Sequence, residues 1–247
     1  TETDDFIVQA RLDEIETQLL AHPTIDIVHI SLGGNDVLGD WHKTWPQAKT
    51  DSLLDEVSLR LNIIMDFIKG VRPGIKIVWS GYAYPNFGEI IGEMAPFQSS
   101  HPFYGTWNGM GQPTFAELNA VLNYYSDAME VMATNDPQLN FVKAPALMQY
   151  TFGQAANLSV PPGGNYPALT APLPFGYPDY PSPKAAMRNY VVFRDCFHLS
   201  ADGFSDFIDY QTQKYYQKAL MDDQYFLSEG GTHDGSVSSM GTVSSTL

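Results

Sequence analysis

The chain has 247 residues, of which 44% are hydrophobic and 17% charged. That is enough apolar material for one large α/β domain with a full core, or two small domains, and it excludes a disordered chain. With 13 Lys and Arg against 28 Asp and Glu, the formal net charge is −15, which argues against nucleic-acid binding and against docking on anionic membranes, because both need clustered cations.

The elements are predicted in chain order from hydrophobic spacing. Val8, Leu12, Ile15 and Leu19 recur at helical intervals and predict an amphipathic helix from Phe6 to Ala21, ended by His22-Pro23. "IDIVHISL" follows, with Ile25, Ile27, Val28, Ile30 and Leu32 apolar on both faces, as in a central parallel strand. A second helix is expected over Ser52–Lys69, with Leu53, Val57, Leu61, Ile64 and Ile68 on one face. "IKIVWS" is the next strand and stops at Gly81. A third helix carries Leu118, Leu122, Tyr125, Met129 and Met132, and "NFVKAPAL" supplies a strand after it. "YVVF", Tyr190 to Phe193, is expected as a short apolar strand. The last helix is expected to bury Phe204, Phe207, Ile208, Tyr215 and Ala219, with Gln211 as a polar interruption and Ser200 as its N-cap. Strands alternating with helices imply an α/β domain with a mostly parallel sheet covered on both faces, its chemistry outside the carboxyl ends of the strands.

Two long stretches break the alternation. Residues 82–113 and 149–189 are rich in aromatics, glycine and proline and are expected to be irregular walls or a cap over the rim. The chain divides into an α/β domain over 1–221 and a Ser/Gly/Thr-rich segment over 222–247, a linker or the opening of a further β domain. Cys196 is the only cysteine, so no disulfide forms within the chain. No apolar run is long enough for a membrane span, and the opening "TETDD" carries no signal-peptide pattern. The acidic composition and the linker-like tail fit a secreted protein.

Two short motifs carry candidate chemistry. In "RDCFHLS", Asp195 and His198 are three apart, between the expected strand and the last helix. A carboxylate so placed can accept Nδ1–H of the imidazole and fix its tautomer, leaving the other nitrogen to move a proton; a surface turn has the same spacing. In "LGGND", Gly33 and Gly34 allow a sharp turn and close approach, Asn35 offers a neutral donor to a developing oxyanion, and Asp36 suits backbone hydrogen bonds within the turn. A plain strand-to-loop turn fits that motif alone. Cys196, between Asp195 and His198, reads as buried filler.

Taken together, "GGND" after one strand and "DCFH" before the last helix resemble the SGNH hydrolase (GDSL esterase/lipase) superfamily, matching its G-x-N-D and D-x-x-H blocks. The resemblance implies a flavodoxin-like, three-layer α/β/α sandwich. It implies acyl transfer to water through an acyl-enzyme, with His198 as general base and acid, Asp195 orienting it and Asn35 in the oxyanion hole. It implies an ester substrate, lipid-like or carbohydrate, and no metal or organic cofactor. Gly33, Gly34, Tyr82 and Tyr84 are the expected substrate contacts.

The family's first block, a G-D-S whose Ser is the nucleophile, does not occur in this sequence. Three arrangements fit that departure. The first strand and its Ser belong to a separate N-terminal segment or chain; or the order is permuted, with Ser236 as nucleophile; or the chain is a non-catalytic, esterase-like ligand-binding module of a larger secreted assembly. The first is the expectation adopted.

Overall fold

The computed structural model describes residues 9–152 and 176–216. In chain order these form α1 (Gln9–Ala21), β1 (Ile27–Ile30), α2 (Gly34–Asp40), α3 (Gln47–Val71), β2 (Lys76–Ser80), α4 (Phe87–Gly92), α5 (Tyr104–Gly109), α6 (Phe115–Thr134), β3 (Leu139–Val142), α7 (Leu147–Phe152), β4 (Met187–Asn189), β5 (Arg194–Leu199) and α8 (Ala201–Gln211). A π-helical turn, Thr212–Tyr216, continues α8.

β1, β2 and β3 form one parallel sheet in that order, with Ile30 opposite Trp79 and Ser80 opposite Val142. Parallel neighbours need long crossovers, and α2–α3 and α4–α6 supply them. Successive residues of a strand point to opposite faces. Ile77, Val78, Trp79 and Ser80 are all buried, so both faces of β2 are covered. The molecule is therefore a mixed α/β fold, as the alternation predicts.

The long helices bury the stripes their spacing specifies. α3 buries Leu53, Val57, Leu61 and Ile68, with Met65 taking the place expected of Ile64. α6 buries Leu118, Leu122, Tyr125 and Met129. It opens on a capping box: Glu117 N–H donates to Thr114 Oγ1 at 3.3 Å, and Thr114 N–H donates to Glu117 Oε2 at 2.8 Å. The Thr114 N–H and Thr114 hydroxyl, both donating to Glu117 Oε2, hold the Glu117 carboxyl below its usual range. α1 buries Leu12 and Leu19. No helix among the described residues is long and apolar enough to cross a membrane.

The structure departs from the sequence-based expectation in four places. "YVVF" is not a strand but the tip of the antiparallel β4–β5 hairpin, where Val191 and Val192 are almost fully exposed. β-propensity could not distinguish a turn that happens to be β-branched from the strand beside it. The hairpin is a separate two-stranded sheet, so the last strand does not extend the parallel one. Residues 82–113 are not structureless: they hold α4, a 3-10 turn at Gln98–Ser100 and α5, segments too short to show periodicity. Finally, α8 is rotated relative to expectation. It buries Gly203, Tyr210 and Gln211, while Phe204 and Ile208 are about half exposed. Gly203 sits inward where only glycine fits, since a Cβ there would stand 2.8 Å from the Ala186 carbonyl. Gln211 is drawn inward because its amide donates to the buried Ser80 hydroxyl. Phe6, Ala219, most of the stretch 149–189, and the 222–247 segment with Ser236 lie outside the described residues.

Candidate active site

Asp195 and His198 both lie within β5, rather than in the loop after a strand. Asp195 is fully buried. Its Oδ1 accepts the backbone N–H groups of Phe197 and His198, each at 2.9 Å, and its Oδ2 accepts from His198 Nδ1 at 2.9 Å. A buried carboxylate is costly unless its lone pairs are satisfied, and three donors satisfy this one. Donation from Nδ1 leaves Nε2 as the basic nitrogen, and Nε2 has no hydrogen-bond partner among the described residues. The imidazole is half exposed, so it is oriented from behind and open in front.

The segment 82–113 holds β5 in place. Asn86 N–H donates to the Cys196 carbonyl at 2.6 Å, and its side-chain amide reaches Glu89 and the Ser182 carbonyl at 2.8 Å. Buried His101 accepts the Phe103 N–H at Nδ1, so its Nε2–H donates to the Arg194 carbonyl at 2.9 Å. Phe103 packs edge-on against Phe197 at 4.9 Å between ring centroids, and Phe197 lies 4.2 Å from the His198 ring. Cys196 is buried, which pushes its thiol far above the ordinary range. That disposes of it as a nucleophile.

The other half of the site comes from the carboxyl end of β1. Gly33 has φ 99° and caps α2. A Cβ on Gly33 would meet the Tyr125 hydroxyl at 2.2 Å, and one on Gly34 would enter the Tyr82 ring at 2.6 Å. Both glycines are buried. Their missing side chains therefore make room for the protein's own tyrosines, and neither glycine lines the pocket. Asn35 is in the first turn of α2, not in a loop, and is exposed. Asp36 does not serve the turn's backbone; it forms an ion pair with Arg60 at 2.8 Å.

Asn35, Tyr82 and His198 line one pocket of about 270 Å³, with Ser31, Gly81 and the side chains of Phe197, Phe204 and Phe207. Residues 163 positions apart, Asn35 and His198, thus share one cavity, and Asp195 stands directly behind the histidine. Tyr84 does not join them. It is fully buried, its hydroxyl donates to Asn123 at 2.8 Å, and burial raises its phenol well above the usual range. The alternation of Tyr82 and Tyr84 could not tell which ring faces the cavity. Burial also raises Tyr82, against the opposing effect of hydrogen bonds to Ser31 and the Gly34 N–H. Ser31, Phe197, Phe204 and Phe207 are not expected in the site from the sequence. Ser31 sits between a strand and a motif, and the phenylalanines look like ordinary core. Among the described residues no group of three or more His, Cys, Asp or Glu is placed to hold a metal ion.

No protein-family model matches this chain, and no curated protein matches it. The assignment of chemistry therefore rests on the residues themselves.

Proposed function

We propose that the chain is the His–Asp and oxyanion-donor part of an SGNH-type serine ester hydrolase with a flavodoxin-like α/β/α fold. The observation that carries this reading is the shared pocket: an imidazole oriented by a buried, fully satisfied carboxylate faces the same cavity as an exposed asparagine amide. In that mechanism His198 Nε2 takes the proton of a serine hydroxyl as the hydroxyl attacks the ester carbonyl. Asn35 Nδ2–H donates to the oxyanion that forms. His198 then returns the proton to the leaving alcohol, and water repeats the cycle on the acyl-enzyme. Phe197, Phe204 and Phe207 give the cavity an apolar wall, which suits the acyl side of an ester.

The nucleophile is proposed to arrive on a strand that pairs with the open edge of β1. Among the described residues β1 pairs with β2 alone. Its unpaired edge ends at Ser31 and Leu32, both exposed, while Phe204 and Ile208 of α8 also face outward. Proteins seldom leave a β-branched edge strand and a neighbouring apolar helix face uncovered. A second source of the hydroxyl is favoured by one observation: Ser31 is the serine that lines the pocket.

A fluorophosphonate probe on the full product of the gene, followed by peptide mass spectrometry, tests the reading. Labelling of a serine outside residues 9–152 and 176–216, lost in His198→Ala, is the expected result. Labelling of Ser31 instead would move the nucleophile to β1. Absence of labelling, together with p-nitrophenyl acetate turnover equal in wild type and His198→Ala, would overturn the hydrolase reading.

A further inference from the structure

A second concavity, sharing no residue with the His198 pocket, lies between the α2–α3 connection, the first turns of α3, and α6. Its volume is about 670 Å³. One wall is a single face of α6: Glu117, Ala120, Val121 and Tyr124 follow one another at helical spacing. The opposite wall is Trp41, Lys43 and Trp45. Ala120, exposed and small, leaves the floor open between the rings.

Trp41 is buried, and the other two aromatic groups here are held in place although they are not. Tyr124 is 44% exposed, yet its hydroxyl donates across to Asp51 on α3 at 3.0 Å, and Gln47 donates to the same carboxylate oxygen at 2.8 Å. Trp45 is half-buried, and the Lys49 ammonium stands 3.6 Å from its ring centroid. The connection carrying Trp41 and Trp45 is tied down by Lys43 N–H donating to the Met110 carbonyl at 3.1 Å and Trp45 N–H donating to that of His42 at 2.9 Å. Rings pinned before a ligand arrives lose little entropy on binding. Such rings, rimmed by an ammonium, a carboxylate and an amide, offer an apolar platform ringed by donors and acceptors of both kinds.

From this arrangement we infer that the groove binds a neutral oligosaccharide. A pyranose ring presents C–H groups on its face and hydroxyls at its edge, so it can lie on Tyr124 and Trp45 while Lys43, Gln47 and Glu117 take its hydroxyls. A nucleotide or other polyanion is disfavoured by the formal net charge of −15. The inference does not depend on the esterase reading, because binding is measured without turnover.

The experiment titrates the protein with cellohexaose, xylohexaose and chitohexaose, followed by calorimetry and tryptophan fluorescence. Saturable binding of at least one, in the range of about 10 μM to 1 mM, is expected. Ala120→Phe fills the floor and Tyr124→Ala removes a platform, and each should weaken binding about tenfold or more. Tyr124→Phe keeps the ring but frees it from Asp51, and should weaken binding only a few-fold. No saturable signal with any of the sugars, or binding that survives both Ala120→Phe and Tyr124→Ala in variants with wild-type circular dichroism, would overturn the inference.

Discussion

At the scale of single residues, the site separates roles that the sequence places side by side. Asp195 combines orientation with stability, because its Oδ1 satisfies two backbone donors and its Oδ2 one ring nitrogen. On the proposed hydrolase reading, Asp195→Asn keeps much of the geometry but favours the wrong tautomer, so esterase turnover should fall about 10³–10⁴-fold with the fold intact. On the same reading Asn35→Ala should lower kcat about 10²–10³-fold and leave KM nearly unchanged, since an oxyanion donor acts in the transition state. Steady-state kinetics on p-nitrophenyl esters separates the two effects. Gly33 is a different kind of residue. Its φ of 99° and the 2.2 Å approach of the Tyr125 hydroxyl to a Cβ both forbid a side chain. Gly33→Ala should cost about 1–3 kcal/mol or more in urea denaturation. Tyr125→Phe in the same chain should restore part of that loss, because the clash goes with the hydroxyl while the positive φ stays.

At the scale of elements, the determinants are local in some places and remote in others. α6 begins where it does because Thr114 and Glu117 cap each other, a signal four residues long. Thr114→Ala should destabilise the fold by about 1 kcal/mol, and Thr114→Ser by much less, as thermal melts would show. α8 obeys a remote determinant. Its rotation is set by the buried hydroxyl of Ser80, which needs Gln211 and has no equivalent in the helix's own apolar pattern. The β4–β5 tip is exposed, so Val191→Ser with Val192→Ser should leave stability within about 0.5 kcal/mol of wild type, although a strand at that position would lose far more.

At the scale of the whole molecule, β1, β2 and α8 meet in one polar contact. Gln211 donates to Ser80, and the Ser80 hydroxyl in turn bonds His29 Nε2 on the neighbouring strand. Burial lowers the His29 pKa below its usual 6.5. Between that lowered value and 6.5 the unfolded chain binds more protons than the folded one. This contribution to stability is therefore complete above pH 6.5 and is lost as pH falls through the folded value. Protonation would also turn the accepting Nε2 into a donor, reversing its bond with the Ser80 hydroxyl and leaving the Ser80 O–H without that acceptor. Urea midpoints measured from pH 8 to pH 5 should fall more steeply for wild type than for His29→Gln, whose amide can still accept from Ser80.

The elements with repeated apolar spacing were legible in advance. α3 and α6 occur with the faces their residues specify, whereas the central place expected of "IDIVHISL" belongs, among the described residues, to β2, with β1 beside it. The candidate site was legible as two motifs, "GGND" and "DCFH", because hydrogen-bonding chemistry depends on residue type and short spacing. Their meeting in one pocket was expected from the family resemblance and the shared strand ends, not from any local link between Asn35 and His198. Nor could spacing say that the glycines accommodate Tyr82 and Tyr125 rather than substrate, that Tyr84 turns inward, or that Ser31 and three phenylalanines complete the wall. The sequence by itself determined the long helices α3 and α6, the parallel strands and the residue types available at the candidate site, because periodicity and functional groups are local properties. Tertiary structure alone decided which side of α8 is buried and which tyrosine faces the cavity, because each depends on partners far away in the chain.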